Sequence, residues 1–217
     1  MKSLIEIARG AKKASYELGL ISSKVKDKAL LVMAKALESQ SGKILAGNKK
    51  DLSAAKGLSP ALVDRLTLNK DRIRSMALSL REIVSLKDPV GQIINSWERP
   101  NGLRIQKVRV PIGVTAIIYE SRPNVTSDCI GLCLKSGNAC ILKGGKEAIN
   151  TNRIIYRILE KAAIDSGIPR GAINFIDSTR REDALSLLSL SDYIDLVIPR
   201  GGEGLIRFVQ DNSRIPV

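Results

Sequence analysis

Two glycine-containing turns in the second half of the chain have a composition that suits phosphate binding. They are Leu142-Lys143-Gly144-Gly145 and Ile198-Pro199-Arg200-Gly201-Gly202-Glu203-Gly204. Each follows a predicted strand, and the second opens a predicted helix, whose free N–H groups and positive dipole end attract anions. Neither has the GxGxxG or GxxxxGK(S/T) spacing, and each alone is typical of an ordinary strand–helix turn. If both turns follow strands of one sheet, however, they could form a nucleotide site together, and this is the competing interpretation.

Lys143 is the candidate cation of this site. It stands just past the end of its predicted strand, where its ammonium group could reach a ribose hydroxyl or a 2′-phosphate. The nearby Lys146 adds a second positive charge that would favour such a phosphate. The alternative is an ordinary surface lysine.

The loop after the predicted strand 114–119 carries a second group of candidates. Arg122 could bind an acidic substrate, and Asn124 could polarise a carbonyl, because amide and backbone N–H groups at a helix start stabilise an oxyanion. The alternative is a capping loop with Asn124 or Thr126 as the N-cap. Position in the sequence leaves both interpretations open.

The absence of histidine restricts the chemistry of the chain. It excludes Ser-His-Asp and Cys-His catalysis, HExxH zinc sites and histidine bases from these residues. The three cysteines, Cys129, Cys133 and Cys140, are an odd number without a secretory signal, which argues against a disulfide framework. No further ligands accompany them, so we predict no metal site and interpret the thiols as core residues.

The net charge of +13 is concentrated in the first half of the chain. Residues 1–110 contain 22 Lys/Arg and 10 Asp/Glu, whereas residues 111–217 contain 13 and 12. A nucleic-acid-binding or anion-binding module is therefore an alternative. The lysines are scattered, and only Tyr16 and Trp97 could stack on bases there. We favour a solvated basic helical face that steers anions, and we predict no nucleic-acid partner.

No apolar run approaches the roughly 18 residues of a membrane span, and the N-terminus lacks the apolar region of a secretory signal. We therefore predict no membrane association and a cytoplasmic location.

The elements that position these candidates follow from the spacing of apolar residues. Residues 1–91 read as helical, with Gly42 as a plausible helix end and Asn48 as a candidate cap of a further segment over about 48–56. The other predicted helices there cover about residues 5–18, 22–40 and 70–86, with a short helical turn from Ser59-Pro60. Residues 92–110 predict two strands joined at Pro100-Asn101-Gly102.

From residue 111 to 217 strands alternate with helices. This order predicts a parallel sheet with helices on both faces, whose ligands lie at the carboxyl ends of the strands. The fold class is therefore α/β: a helical N-terminal region, a β-hairpin-like extension and a Rossmann-like sheet.

Long stretches of the chain resemble the γ-glutamyl phosphate reductases, or glutamate-5-semialdehyde dehydrogenases, of the aldehyde dehydrogenase superfamily. They include residues 109–152, RVPIGVTAIIYESRPNVTSDCIGLCLKSGNACILKGGKEAINTN, and the final IDLVIPRGGEGLIRFVQDNSRIPV. The resemblance implies the aldehyde dehydrogenase fold and the NADPH-dependent reduction of γ-glutamyl phosphate to glutamate-5-semialdehyde with release of phosphate, a step of proline synthesis. A cofactor domain of another aldehyde or acyl-phosphate dehydrogenase is the alternative.

The resemblance also implies roles for particular residues. Lys143 matches a lysine near the adenosine ribose, and the turn Gly201, Gly202, Glu203 and Gly204 matches the one along the cofactor pyrophosphate. Ser121 and Arg122 match the loop that enters the active site, and Asn124 matches the side chain that polarises the reacting carbonyl. Residues 92–110 match the strands that lead to the oligomerisation element, and residues 111–217 the NADPH-binding part.

One departure from the family concerns the nucleophile. In the family a catalytic cysteine follows the position of the final Ile-Pro-Val, and none of the three cysteines here matches it. We therefore expect the chain to be the amino-terminal half of the enzyme, without the catalytic domain and inactive alone. The resemblance further implies homo-oligomers of the full-length protein and an association with glutamate 5-kinase.

Overall fold

The first part of the chain folds into helices because its apolar residues recur at intervals of three and four. The computed structural model describes residues 3–217, so residues 1 and 2 of the predicted helical region lie outside the described residues. The helices are α1 (Leu4–Gly19), α2 (Ser23–Ser39), α3 (Ser41–Ala54), α4 (Pro60–Leu66) and α5 (Lys70–Ser85). As predicted, Pro60 occupies the first turn of α4.

Helix α3 differs from the prediction. Gly42 lies in its first turn rather than at a helix end, and Asn48 lies in its middle rather than at a cap. Asn48 is buried, donating to the Leu66 carbonyl at 2.9 Å and accepting from the Leu68 N–H at 2.8 Å. A residue that suits an N-cap by type is here held by long-range partners, and the helix continues through it.

Residues 92–110 form the predicted hairpin. Strands β1 (Ile93–Glu98) and β2 (Arg104–Val108) pair antiparallel, and Gly102 adopts φ +80° in the turn, where its N–H donates to the Arg99 carbonyl at 2.8 Å. Trp97 and Val108 are both exposed. Trp97 pairs with Ile105, which lies three positions before Val108 in β2 and therefore on the opposite face. Both faces of the hairpin therefore present apolar side chains to solvent.

The second half contains a parallel four-stranded sheet. Its strands are β3 (Val114–Tyr119), β4 (Ala139–Lys143), β5 (Ile173–Phe175) and β6 (Leu196–Arg200), in the order β5-β4-β3-β6. The connecting helices are α6 (Asn124–Lys135), α7 (Ile149–Asp165) and α8 (Arg181–Leu188). A 3₁₀ turn, Lys146–Ala148, precedes α7, and α9 (Glu203–Asn212) follows β6. The chain returns to place β6 beside β3, so a crevice is expected where the carboxyl ends of these two strands meet.

Alternate residues of the central strand contact different cores, which confirms that helices cover both faces of the sheet. Ile117 and Tyr119 pack into a cluster with α2, α5, α6 and α7, whereas Ala116 and Ile118 pack with α8, α9 and the first half of α1. The predicted α/β class is thereby confirmed. None of the described helices is long and apolar enough to cross a membrane.

Two buried lysines cross-link the helical layer. Lys26 on α2 pairs with Asp88 at 2.5 Å, and Lys135 at the end of α6 pairs with Asp27 at 2.6 Å. Lys135 also donates to the Val84 carbonyl at 2.9 Å. Both lysines are less than 10% exposed, and Lys26 also donates to the Lys135 carbonyl at 3.2 Å, so these contacts join α2 and α5 to α6.

Candidate functional site

The carboxyl ends of β3, β4 and β6 bring the sequence candidates to one edge of the sheet. Three cavities line this edge side by side. The glycine-turn cavity, of 380 Å³, lies over the ends of β3 and β4 and is lined by Lys143, Gly144, Lys146 and Gly204, among others. A crevice cavity, also of 380 Å³, is adjacent, and an arginine cavity of 320 Å³ lies under α4 and α5.

Lys143 is buried at the wall of the glycine-turn cavity. It is 5% exposed and its Nζ donates to the Ser178 carbonyl at 2.8 Å. Burial lowers the pKa of this ammonium group, and the charge of Asp183 counteracts that effect. Lys143 is therefore not an ordinary surface lysine, as the alternative held, and its ammonium group is fixed at the edge of the cavity.

The first glycine turn has no space for a side chain. A Cβ on Gly144 would lie 2.3 Å from Nδ2 of Asn152 and 3.1 Å from the ring of Tyr119. Asn152 is fully buried, and its Nδ2 has no hydrogen-bond partner among the described residues. Glycine thus lets the backbone pass close over a buried polar cluster.

The second glycine turn is covered by a carboxylate. Glu120, just after β3, accepts a hydrogen bond from the Gly202 N–H at 3.1 Å. A Cβ on Gly201 would lie 2.5 Å from the Glu120 carboxyl carbon. The start of α9 therefore holds an anion already, as the dipole and free N–H groups of a helix N-terminus favour.

The turn itself is divided between two cavities. Gly201 and Gly202 line the crevice cavity with Ser121, whereas Gly204 lines the glycine-turn cavity. The Glu203 carboxylate points elsewhere and pairs with Arg207 at 2.6 Å.

Asn124 and Arg122 lie together in the arginine cavity. Asn124 is the first residue of α6, with its Nδ2 donating to Oδ2 of Asp128 at 3.1 Å. The capping alternative is wrong, because Pro123 occupies the N-cap position and Thr126 is buried within the helix. An amide nitrogen carries two hydrogens, so one remains for a ligand.

Asp128 and Arg65 complete this cavity. Burial raises the pKa of Asp128, and the hydrogen bond from Asn124 offsets this in part. Arg65, on α4, lines both the arginine and the crevice cavity, as does Arg122. Besides the paired Asp64 and Arg72, one carboxylate and two guanidinium groups therefore line the same cavity as Asn124.

Comparison with known proteins shows the family of the chain. The sequence profile of the aldehyde dehydrogenase family matches residues 2–213. The chain belongs to this family. Among its relatives, the gamma-glutamyl phosphate reductase of Clostridium beijerinckii is 50% identical over 219 residues, covering all of this chain and 53% of the relative. That of Heliobacterium modesticaldum is 53% identical over 95% of this chain and 50% of the relative. The chain spans about half the length of the curated relatives it matches.

Solved structures show the same fold. The gamma-glutamyl phosphate reductase of Thermotoga maritima superposes with a TM-score of 0.97 at 44% identity, covering all of this chain and 53% of that one. The reductase of Saccharomyces cerevisiae gives 0.93 at 38% identity, with 100% and 56% coverage. A benzaldehyde dehydrogenase of Corynebacterium glutamicum gives 0.78 at 20% identity, covering 97% and 44% of the two chains, a likeness of fold alone.

The cysteines do not resemble a dehydrogenase nucleophile. Cys133 and Cys140 are buried in the core, as interpreted from the sequence, and Cys129 is half-buried. Burial raises the pKa of Cys129 to about 12, and a hydrogen bond with Cys133 together with burial raises that of Cys140. A nucleophilic cysteine needs the opposite shift. Within residues 3–217 no group of three or more acidic or cysteine side chains could hold a metal ion.

Sequence reasoning missed three side chains of this edge: Arg65, Glu120 and Asp128. Glu120 comes directly before the Ser121–Asn124 loop, and Asp128 lies four residues after it. This closeness in sequence was the feature from which both could have been predicted as site residues. Nothing in the local sequence places Arg65 there, because α4 is brought to the sheet by tertiary contacts.

Proposed function

We propose that the chain is the cofactor-binding part of a γ-glutamyl phosphate reductase, which reduces γ-glutamyl phosphate to glutamate-5-semialdehyde with release of phosphate. One observation carries the proposal. A buried lysine and two glycine turns meet at the carboxyl edge of a parallel sheet, in a chain about half identical to relatives of that name. Parallel-sheet proteins of this topology bind nucleotides at this edge. The division into residues 1–91, 92–110 and 111–217 is part of the proposal.

NADPH is the cofactor that the residues fit. Lys143 and Lys146 supply positive charge for a ribose phosphate, and Gly201, Gly202, Glu203 and Gly204 form the turn for the pyrophosphate. The close approach at Gly201 supports this, because its missing Cβ already admits the Glu120 carboxylate as an anion. When bound, the nicotinamide group supplies a hydride. The residues of this chain bind and orient the cofactor.

The substrate lies on the other side of the Ser121–Asn124 loop. Arg122 binds an anionic end of γ-glutamyl phosphate, Ser121 lines the same entrance, and Asn124 donates to the reacting carbonyl oxygen. An amide donor fixed before the reaction stabilises negative charge as it develops on that oxygen. The Asn124–Asp128 hydrogen bond holds the amide in one orientation.

Covalent catalysis needs a cysteine thiolate, and residues 3–217 place none at the site. The half-buried Cys129 has a pKa of about 12, so its thiolate is scarce at neutral pH. We therefore expect the chain to bind cofactor without turnover.

The assembly and location of the protein are further parts of the proposal. The exposed apolar side chains of the hairpin, Ile94 and Trp97 among them, support homo-oligomers of the full-length protein. Association with glutamate 5-kinase follows from the resemblance, and a cytoplasmic location is also part of the proposal. Nucleic acid and membrane are not expected partners.

Calorimetric titration of the 217-residue chain with NADPH and with NADH tests the proposal. One-site binding that is tighter for NADPH, with no oxidation of NADPH when γ-glutamyl phosphate is added, is the expected result. Circular dichroism establishes that the sample is folded. A folded chain that binds neither nucleotide, or that turns over substrate, would contradict the proposal.

A further inference from the structure

The arginine cavity contains opposite charges that do not pair with one another. Asp128 accepts a hydrogen bond from Asn124, and no cation lies within ion-pair distance of it in residues 3–217. Arg65 and Arg122 likewise have no ion-pair partner in that part of the chain. By contrast, the Arg72 and Asp64 side chains in the same wall pair at 2.7 Å. The cavity therefore has one partly buried acidic group, Asp128, and two exposed basic groups, Arg65 and Arg122, that could contact a ligand.

Unpaired charges of both signs in one cavity favour a zwitterionic ligand. Asp128 is only partly exposed, so it has lost part of its hydration, and the charge of Arg200 compensates for this without a direct ion pair. An α-amino acid carries an ammonium and a carboxylate group on one carbon and could satisfy both signs at once. The volume of 320 Å³ is within the range of small-molecule sites.

The arrangement of side chains along α6 determines the direction in which such a ligand would bind. Asn124 and Asp128 are one helical turn apart and share a face, as their hydrogen bond shows. A substrate whose carbonyl meets Asn124 would bring its amino end toward Asp128. Arg65 lies on a different element, α4. Arg122 comes immediately before Pro123 and Asn124 in the chain and so lies near the reacting carbonyl.

We propose that Asp128 binds the α-ammonium group and Arg65 the α-carboxylate group of the substrate, so that the arginine cavity selects substrates by their amino-acid end. This inference rests on the proposed function, which supplies a γ-glutamyl substrate. Arg122 is left for the phosphate end. Asp128 and Arg65 are thus specificity-determining residues contributed by different parts of the chain.

Three stable phosphonates test the inference in titrations of the 217-residue chain. The first is 2-amino-5-phosphonopentanoate, the second is 5-phosphonopentanoate, which lacks the amine, and the third is 4-aminobutylphosphonate, which lacks the carboxylate. We expect the amino acid to bind about 10-fold or more tightly than either truncated probe, because each loses one charge-assisted hydrogen bond.

Variants then assign each contact. Asp128→Asn should bring the affinities for the amino acid and 5-phosphonopentanoate together, and Arg65→Gln should do so for the amino acid and 4-aminobutylphosphonate. The exposed neighbours on α5 give matched controls, Asp71→Asn and Arg74→Gln, which should retain both differences.

Titration of the same samples with NADPH separates this inference from the proposed function. If NADPH binds but the three phosphonates bind equally, or none binds, the inference is overturned while the cofactor proposal stands. If the phosphonates are discriminated as expected and NADPH does not bind, the cofactor proposal fails and the amino-acid site stands. Equal weakening of all three probes by Asp128→Asn would mean that Asp128 only positions Asn124, and would also overturn the inference.

Discussion

Replacement of Lys143 by methionine is the sharpest perturbation of the proposed cofactor site. Methionine retains an apolar stem of similar length, so the variant removes the charge and the hydrogen bond to the Ser178 carbonyl but little packing. The charge is removed from a side chain that is 5% exposed, where water replaces the lost interaction poorly. The resemblance to the family places this ammonium group near the adenosine ribose.

The magnitude follows from the kind of hydrogen bond that each nucleotide would lose. A bond from the ammonium to a phosphate is worth about 1.5–3 kcal/mol, and the weaker contact with a ribose hydroxyl about 0.5–1.5 kcal/mol. At about 1.4 kcal/mol per factor of ten, Lys143→Met should weaken the binding of NADPH by about 10- to 150-fold and the binding of NADH by about 2- to 10-fold. The preference for NADPH should therefore fall severalfold.

Calorimetric titrations of both nucleotides against both proteins measure this change. Lys161→Met is a suitable control, because Lys161 is an exposed lysine paired with Asp165 far along α7. Equal losses for NADPH and NADH would refute the assignment of Lys143 to the phosphate.

The pH dependence gives a second readout of the same residue. Since burial lowers the pKa of Lys143, its charge is lost at lower pH than that of an ordinary lysine, near 10.4. The NADPH preference should accordingly decline as pH rises, before exposed lysines titrate.

Two further predictions concern carboxylates. Burial alone raises the pKa of Asp88, but hydrogen bonds from Lys26 and Ser23 outweigh it and hold the pKa below its usual value. Its stabilisation is therefore present above about pH 4 and lost as pH falls through the lowered pKa. Asp88→Asn should cost about 3–5 kcal/mol at pH 7 by leaving the Lys26 charge buried without its carboxylate partner. In urea unfolding, the stability difference between the two proteins should shrink as pH falls below about 4, and a difference that stays constant down to the acid limit of folding would refute the argument. Glu120→Gln should strengthen NADPH binding by about 2- to 5-fold, because it removes an anion from the start of α9; weaker binding in the titration would mean that Glu120 helps to hold the cofactor.

The sequence predicted the sheet elements well because their signals are local. The apolar run Val114–Tyr119 became β3 with the predicted bounds, and the hairpin followed from alternation around Asn101-Gly102. The helix predicted over about residues 70–86 became α5, and the Asn69 side chain caps it by accepting from the Arg72 N–H at 2.7 Å. Local periodicity and turn chemistry decide such features.

The failures concern polar residues whose partners are distant in sequence. Asn48 has the residue type of a cap, but its partners at Leu66 and Leu68 lie about 20 positions away. From the sequence, Lys26 resembles the other lysines of the basic surface, but in the structure it is buried and paired with Asp88. Propensity and spacing do not contain these pairings, because only tertiary packing brings the partners together.

The misassigned Asn48 links the helical region to the candidate site. Its buried amide holds the backbone at the end of α4, at Leu66 and Leu68, while Arg65 in the preceding position lines the arginine and crevice cavities. The sheet edge alone supplies the glycine turns, Lys143 and the Ser121–Asn124 loop, but no second wall. The helical region therefore does more than cover the sheet. Through Asn48 it holds the backbone beside Arg65, which lines the same cavity as Asp128, so the proposed amino-acid selectivity depends on both halves of the chain.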